Sequence, residues 1–177
     1  MVEESLKLPG DSLAPAGVDV ATNAVTVHAP ASEVWAWVVQ LGQGRGGFYS
    51  YEWLENLFAA DIHNAENIVP EYQNLKVGDR ISFQRDGPST VVTYIEPERA
   101  LVLGAGWTFM TIPIDSVNTR FIVRYPYDPI ESIPHALYYY SIFEPAHFVM
   151  QIGMISGIRQ RAERSFRERT TREHSRN

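Results

Sequence analysis

Near its C-terminus the chain carries one segment that dictates what the rest must build. Residues 145–167, PAHFVMQIGMISGIRQRAERSFR, predict a single long helix. Pro145 suits the first turn, where its missing N–H would have had no intrahelical partner. Phe143, His147, Met150, Met154 and Ile158 recur at spacings of four, three, four and four, which places them on one face. Phe148, Ile152 and Ile155 form a second apolar stripe beside it. At about 1.5 Å per residue the rod spans roughly 33 Å, and so much apolar circumference requires other elements to grip it. Arg159, Arg161, Arg164 and Arg167 gather in the last turns, where cations complement the negative end of the macrodipole.

Upstream, residues 1–23 hold the turn formers Pro9-Gly10-Asp11, Pro15 and Gly17 and read as an extended arm on the surface. Ala24 to His28 alternates and is β-branched, a first strand stopped by Pro30. Ser32 can cap a short helix carried by Val34, Trp35, Trp37, Val38 and Leu41 and ended by Gly42. Gly42, Gly44 and Gly47 formally satisfy G-x-G-x-x-G. A dinucleotide site needs a strand before that motif, and here a helix precedes it, so the glycines read as a sharp link. Ser50 can cap a second short helix whose buried face is Trp53, Leu54, Leu57 and Phe58. From Val77 the period becomes two. Strands are expected at Asp79–Gln84, Ser89–Glu96, Ala100–Ala105, Trp107–Asp115 and Asn118–Tyr127, joined by turns short enough to favour an antiparallel meander. Within Trp107–Pro113 the alternation puts Trp107, Phe109 and Thr111 on one face, and Thr108, Met110 and Ile112 on the other. In the last strand Phe121, Val123 and Tyr125 oppose Arg120, Ile122 and Arg124. Asp128–Ile142 reads as a short helix or ordered loop feeding the final helix.

A chain of 177 residues with 45% apolar and 20% charged residues is most simply one domain, 1–177, with a core of useful size. A net charge of −6 argues against a general nucleic-acid binder, and residues 168–177 read as a frayed basic tail. The absence of cysteine excludes disulfides, thiolate catalysis and Cys-ligated metals. The N-terminus lacks the apolar run of a signal peptide, and no run approaches a membrane span, so a soluble cytoplasmic protein is expected. Asp61, His63 and Glu66 are metal-capable types, but in one short loop without further ligands they read as hydrogen-bonded residues. No metal and no cofactor is expected.

Strand, two short helices, five antiparallel strands and one long helix make an α+β helix-grip: a curved antiparallel sheet of about six to seven strands wrapped around the C-terminal helix. The residues themselves resemble the SRPBCC superfamily, the START-like and polyketide-cyclase/dehydrase group, in its bacterial members. The likeness runs through VTVHAPASEVWAWVVQLGQGRGGFYSYEWLENLF, DIHNAENIVPEYQNLKVGDR and EPAHFVMQIGMISGIRQRAE, with PGDSLAP at the start. It implies a cavity between sheet and helix for a lipid, polyketide or other apolar molecule. Some members are cyclases, dehydratases or hydrolases, and others are carriers.

The leading expectation is a module that binds one hydrophobic small molecule through Tyr49, Trp53, Trp107, Phe109, Tyr125, Met150 and Met154. Aromatic rings give contact area at little entropic cost, and methionine adapts to irregular shapes. The alternative is a cyclase- or dehydratase-like enzyme using general acid–base catalysis in the same cavity, with His147 as first candidate and His63 and Asp61 next. Glu144 and Arg124 could orient a substrate, and Tyr49 or Tyr125 could donate to an oxyanion. A third expectation is an interaction domain whose partner surface is the Tyr138-Tyr139-Tyr140 region, with a homodimer as one arrangement. Neither nucleic acid nor a stably inserted membrane is expected as a partner.

Overall fold

The computed structural model of the chain describes residues 3–57, 60–127, 132, 141 and 144–175. Six strands form one antiparallel sheet: β1 (Val20–Val27), β2 (Arg80–Ser82), β3 (Ser89–Glu96), β4 (Ala100–Leu103), β5 (Trp107–Pro113) and β6 (Thr119–Pro126), in the order β1-β6-β5-β4-β3-β2. The strands from β2 to β6 pair with their sequence neighbours, because their connections are too short for a crossover. Among the described residues the α-helices are α1 (Ala31–Val38), α2 (Glu52–Leu57) and α3 (Glu144–His174). The expected α+β helix-grip is therefore present, with six strands.

Element ends depart from the sequence pattern where long-range pairing decides them. β1 begins at Val20 rather than Ala24, since Val20 to Asn23 find partners in Pro126 to Val123. α3 runs for 31 residues, about 46 Å. It continues past Arg167 through a stretch expected to fray, held by an Arg169–Glu33 ion pair and a hydrogen bond from Thr170 Oγ1 to the Phe166 carbonyl at 2.9 Å. A bulge between Val92 and Tyr94 interrupts the β3–β4 register, and Thr93 Oγ1 donates there to the carbonyls of Val102 and Gly104. Such bulges bend and twist a strand, which curls the sheet toward the helix.

The inner face of the sheet, with Leu101, Phe109, Phe121 and Val123, packs against Trp37 and Val38 of α1 and Ile155, Ile158 and Ala162 of α3. Fully burying a side chain such as Ile158 stabilises by about 1.5–3 kcal/mol. Gly157 lets α3 cross tightly here, since a Cβ on it would lie 2.0 Å from the Tyr49 carbonyl oxygen. The second apolar stripe is not gripped along its whole length. Ile155 is buried, but Phe148 and Ile152 are exposed. Phe143 of the first stripe lies outside the described residues, as does nearly all of the 128–142 stretch, including Tyr138, Tyr139 and Tyr140.

The outer face of β5 and β6 is covered by the N-terminal arm, which is more than a surface thread. Arg124 projects from this face with its side chain 4% exposed, and its guanidinium holds both carboxylate oxygens of Asp11 at 2.8–2.9 Å. It also donates to the carbonyls of Glu3, Glu4 and Leu6 and to Thr22 Oγ1. Leu8 of the arm is buried. Arg124 therefore anchors the arm on the side away from the inner face and is not placed to orient a substrate held there.

Candidate functional site

Between the sheet and the first turns of α3 the packing leaves a cavity of about 350 Å³. Strand alternation and helix periodicity deliver its walls. Trp107 opens β5 and Tyr125 lies near the end of β6 on the neighbouring strand, both facing inward. From α3, His147, Met150, Gln151 and Met154 project toward them at helical spacing. The loops contribute Phe48 and Ser50 after α1, Ala60 and Ile62 after α2, and Phe83, Gln84 and Pro88 between β2 and β3.

Five rings run along this wall. Phe48 stacks on Phe83 at 5.8 Å between centroids, Phe83 meets Trp107 at 6.1 Å, Trp107 meets Tyr125 edge-on at 5.8 Å, and Tyr125 meets the His147 imidazole at 4.2 Å. Such offset and edge-to-face pairs hold rings in place and give a ligand a rigid apolar surface. No Lys, Arg, Asp or Glu is among the described residues that line the cavity, and His147 is the one imidazole among them.

Of the residues expected to bind a ligand, Trp107, Tyr125, Met150 and Met154 share this cavity, and His147 joins them. The others are elsewhere. Phe109 backs Trp107 at 4.9 Å between centroids but is closed into the core. Tyr49 is also core, 2% exposed, its ring edge-on to Trp37 at 5.6 Å and overlaid by the Arg161 guanidinium. Its N–H donates to Asn64 Oδ1 at 2.6 Å, which aims the side chain under α3 and away from the cavity. Burial raises the Tyr49 hydroxyl well above the ordinary phenol range, against opposing pulls from Gln40, Arg161 and Arg45, so it is a poor proton donor.

Trp53 is 71% exposed, and Leu57 stands out with it. The cause is Asn56, whose amide exchanges two hydrogen bonds with the Ile62 backbone, while Glu52 accepts from Asn64 N–H. This polar side of α2 turns toward the 62–64 loop, and Trp53 and Leu57 turn to solvent. Phe58, assigned to the same face, lies outside the described residues. His63 is 79% exposed, 3.5 Å from Asp61, which is paired to Arg85. Glu66 is held by Arg161 and Arg164, and Glu144 accepts from the Tyr127 hydroxyl at 3.3 Å. Neither His63 nor Asp61 lines the cavity. The formal glycine motif closes on itself, with Gly42 and Gly47 exchanging backbone hydrogen bonds of 2.9 and 3.0 Å.

The periodicity did not single out Gln151, Phe48, Phe83 or Ile62. Gln151 had a signal, since it follows His147 by four residues on the inward side of α3. The loop residues had none, because loop direction is set by contacts distant in sequence.

No family model and no curated protein matches the chain. Among solved structures, the KanY protein aligns with a TM-score of 0.51 at 10% identity, over 83% of this chain and 99% of that one. A Zhui aromatase/cyclase from Streptomyces aligns at 0.46 and 13% identity, over 83% and 94%. A Polyketide_cyc-like protein from Corynebacterium glutamicum aligns at 0.40 and 14%, over 89% and 95%. No helix among the described residues is long and apolar enough to cross a membrane. The described elements form a helix-grip fold, and the KanY protein aligns with it over most of both chains.

Proposed function

We propose that the protein binds one hydrophobic, ring-bearing small molecule between the sheet and α3. The observation that carries this reading is the 350 Å³ cavity with its continuous aromatic wall facing Met150 and Met154. Its volume falls within the ~300–1,000 Å³ range of small-molecule sites. Binding to the native state alone raises the melting temperature with ligand concentration. A panel of neutral polycyclic compounds, added to protein stripped of bound lipid, is expected to give saturable shifts. No shift with any of them, together with a filled core by crystallography, would sink the reading.

A second reading is supported by His147, whose imidazole borders the cavity 4.2 Å from the Tyr125 ring. An imidazole in an apolar pocket, with a phenol beside it, is equipped to move a proton to or from a bound carbonyl compound. In this reading His147 acts as the acid–base group of a cyclase- or dehydratase-type reaction. His147→Gln should abolish turnover of a ligand identified by extraction while leaving its binding within a few-fold. Unchanged turnover in that variant would remove His147 from the chemistry.

A further inference from the structure

We infer that the molecule held in this cavity carries a neutral oxygen, as a ketone or phenol, that docks on the Gln151 amide. This rests on the ligand-binding reading and narrows it. Gln151 lines the cavity from α3 between Met150 and Met154, and it is 3% exposed. Its Nε2 has no hydrogen-bond partner among the described residues. Trp107 Nε1, on the sheet side of the same cavity, is a second buried donor without one. An unpaired buried polar group is costly, and an apolar residue at 151, like Met150 and Met154 on either side, would avoid that cost.

The terminal amide turns easily about its last side-chain bond, so it can present either its N–H or its carbonyl oxygen to the cavity. A ketone oxygen accepts from the first, and a phenol donates to the second. Charge narrows the class further. With no Lys or Arg among the lining residues described, an ionised carboxylate or phosphate would leave water for a site without a fixed counter-charge. Fatty acids and phosphorylated molecules are disfavoured on that ground. The aromatic wall favours a flat ring system over a flexible chain.

Fluorene and 9-fluorenone differ by one carbonyl oxygen, and titration calorimetry on the full chain compares them directly. An indifferent apolar cavity prefers fluorene, because the ketone must abandon its hydrogen bonds to water. Docking on Gln151 reverses the order, with fluorenone binding about tenfold more tightly. Gln151→Met, which keeps the length and apolar character of the wall, should erase that preference without weakening fluorene, and Gln151→Leu should do the same. Wild-type preference for fluorene, or a fluorenone preference that survives both substitutions, overturns the inference while leaving the cavity reading intact. Binding of neither compound would bring down both.

Discussion

Gly157→Ala sets two effects of opposite sign against each other. Inside an exposed helix, alanine is favoured over glycine by about 1 kcal/mol. At Gly157 the added Cβ would stand 2.0 Å from the Tyr49 carbonyl oxygen and 2.8 Å from the Tyr49 Cβ. The first of these is backbone and cannot swing aside. Since Cβ contacts essentially never fall below 3.0 Å, α3 and the Tyr49 segment must part by about 1 Å. A gap of that order forfeits about a quarter to a half of each dispersion contact across it. Overpacking of this kind costs about 1–3 kcal/mol, and here it falls on the seat of the longest helix. The variant should therefore be destabilised, with a lower urea midpoint and an unchanged slope. The same parting shifts Gln151 and Met154, so fluorenone affinity should fall with stability. A midpoint at or above that of the unaltered protein would refute the close approach and the placement of α3 built on it.

Other consequences are equally direct. Arg124→Met removes one partner of a buried ion pair and strands Asp11 and three carbonyls, at a cost of about 3 kcal/mol by thermal or urea unfolding. Adding Asp11→Leu should recover part of that loss, and no recovery would argue against the direct pair. Glu66 is held below its usual 4.5 by the hydrogen bond from Arg164 and by Arg161, despite partial burial. Because the folded carboxyl is the stronger acid, its contribution is complete above the unfolded value and is lost as pH falls through the folded one. Stability should thus decline on acidification below about pH 4.5, and Glu66→Gln should make that decline shallower; an identical acid limb would count against the ion-pair cluster. Trp53→Ser exchanges an exposed ring for a small polar group, so ligand affinity should be unchanged and stability altered by about 0.5 kcal/mol or less. A large loss of affinity would return Trp53 to the binding site.

Legibility in the sequence followed how locally each feature is determined. β3 falls at Ser89–Glu96 as its alternation predicts, with a turn former cluster on one side and Pro97 beyond the other. His147, Met150 and Met154 reach one cavity because helical spacing alone fixes their common direction, and Trp107 and Tyr125 because strand alternation does the same. Tyr49, Asp61 and His63 lie in loops, where such rules give no direction, and on the short α2 the apolar spacing pointed Trp53 to the wrong side. The Asn64 hydrogen bond turns Tyr49 inward, and the Asn56 clasp turns Trp53 outward. Phe109 has the correct face but the wrong depth, and depth depends on what the helices cover. The arm was legible as a surface element, whereas its anchor on Arg124 joins residues 113 positions apart and no local pattern announces it.

Methionine methyl NMR tests the cavity most directly. The chain has four methionines: Met150 and Met154 line the cavity, Met110 points to the opposite face of the sheet, and Met1 is terminal. With 13C-labelled methyl groups and fluorenone as probe, Met150 and Met154 should shift together, saturate, and show NOEs to the aromatic protons of the ligand. Met110 should stay in place. Four unmoved methyls at saturating probe, or a shift confined to Met110, would contradict a ligand site between the sheet and α3.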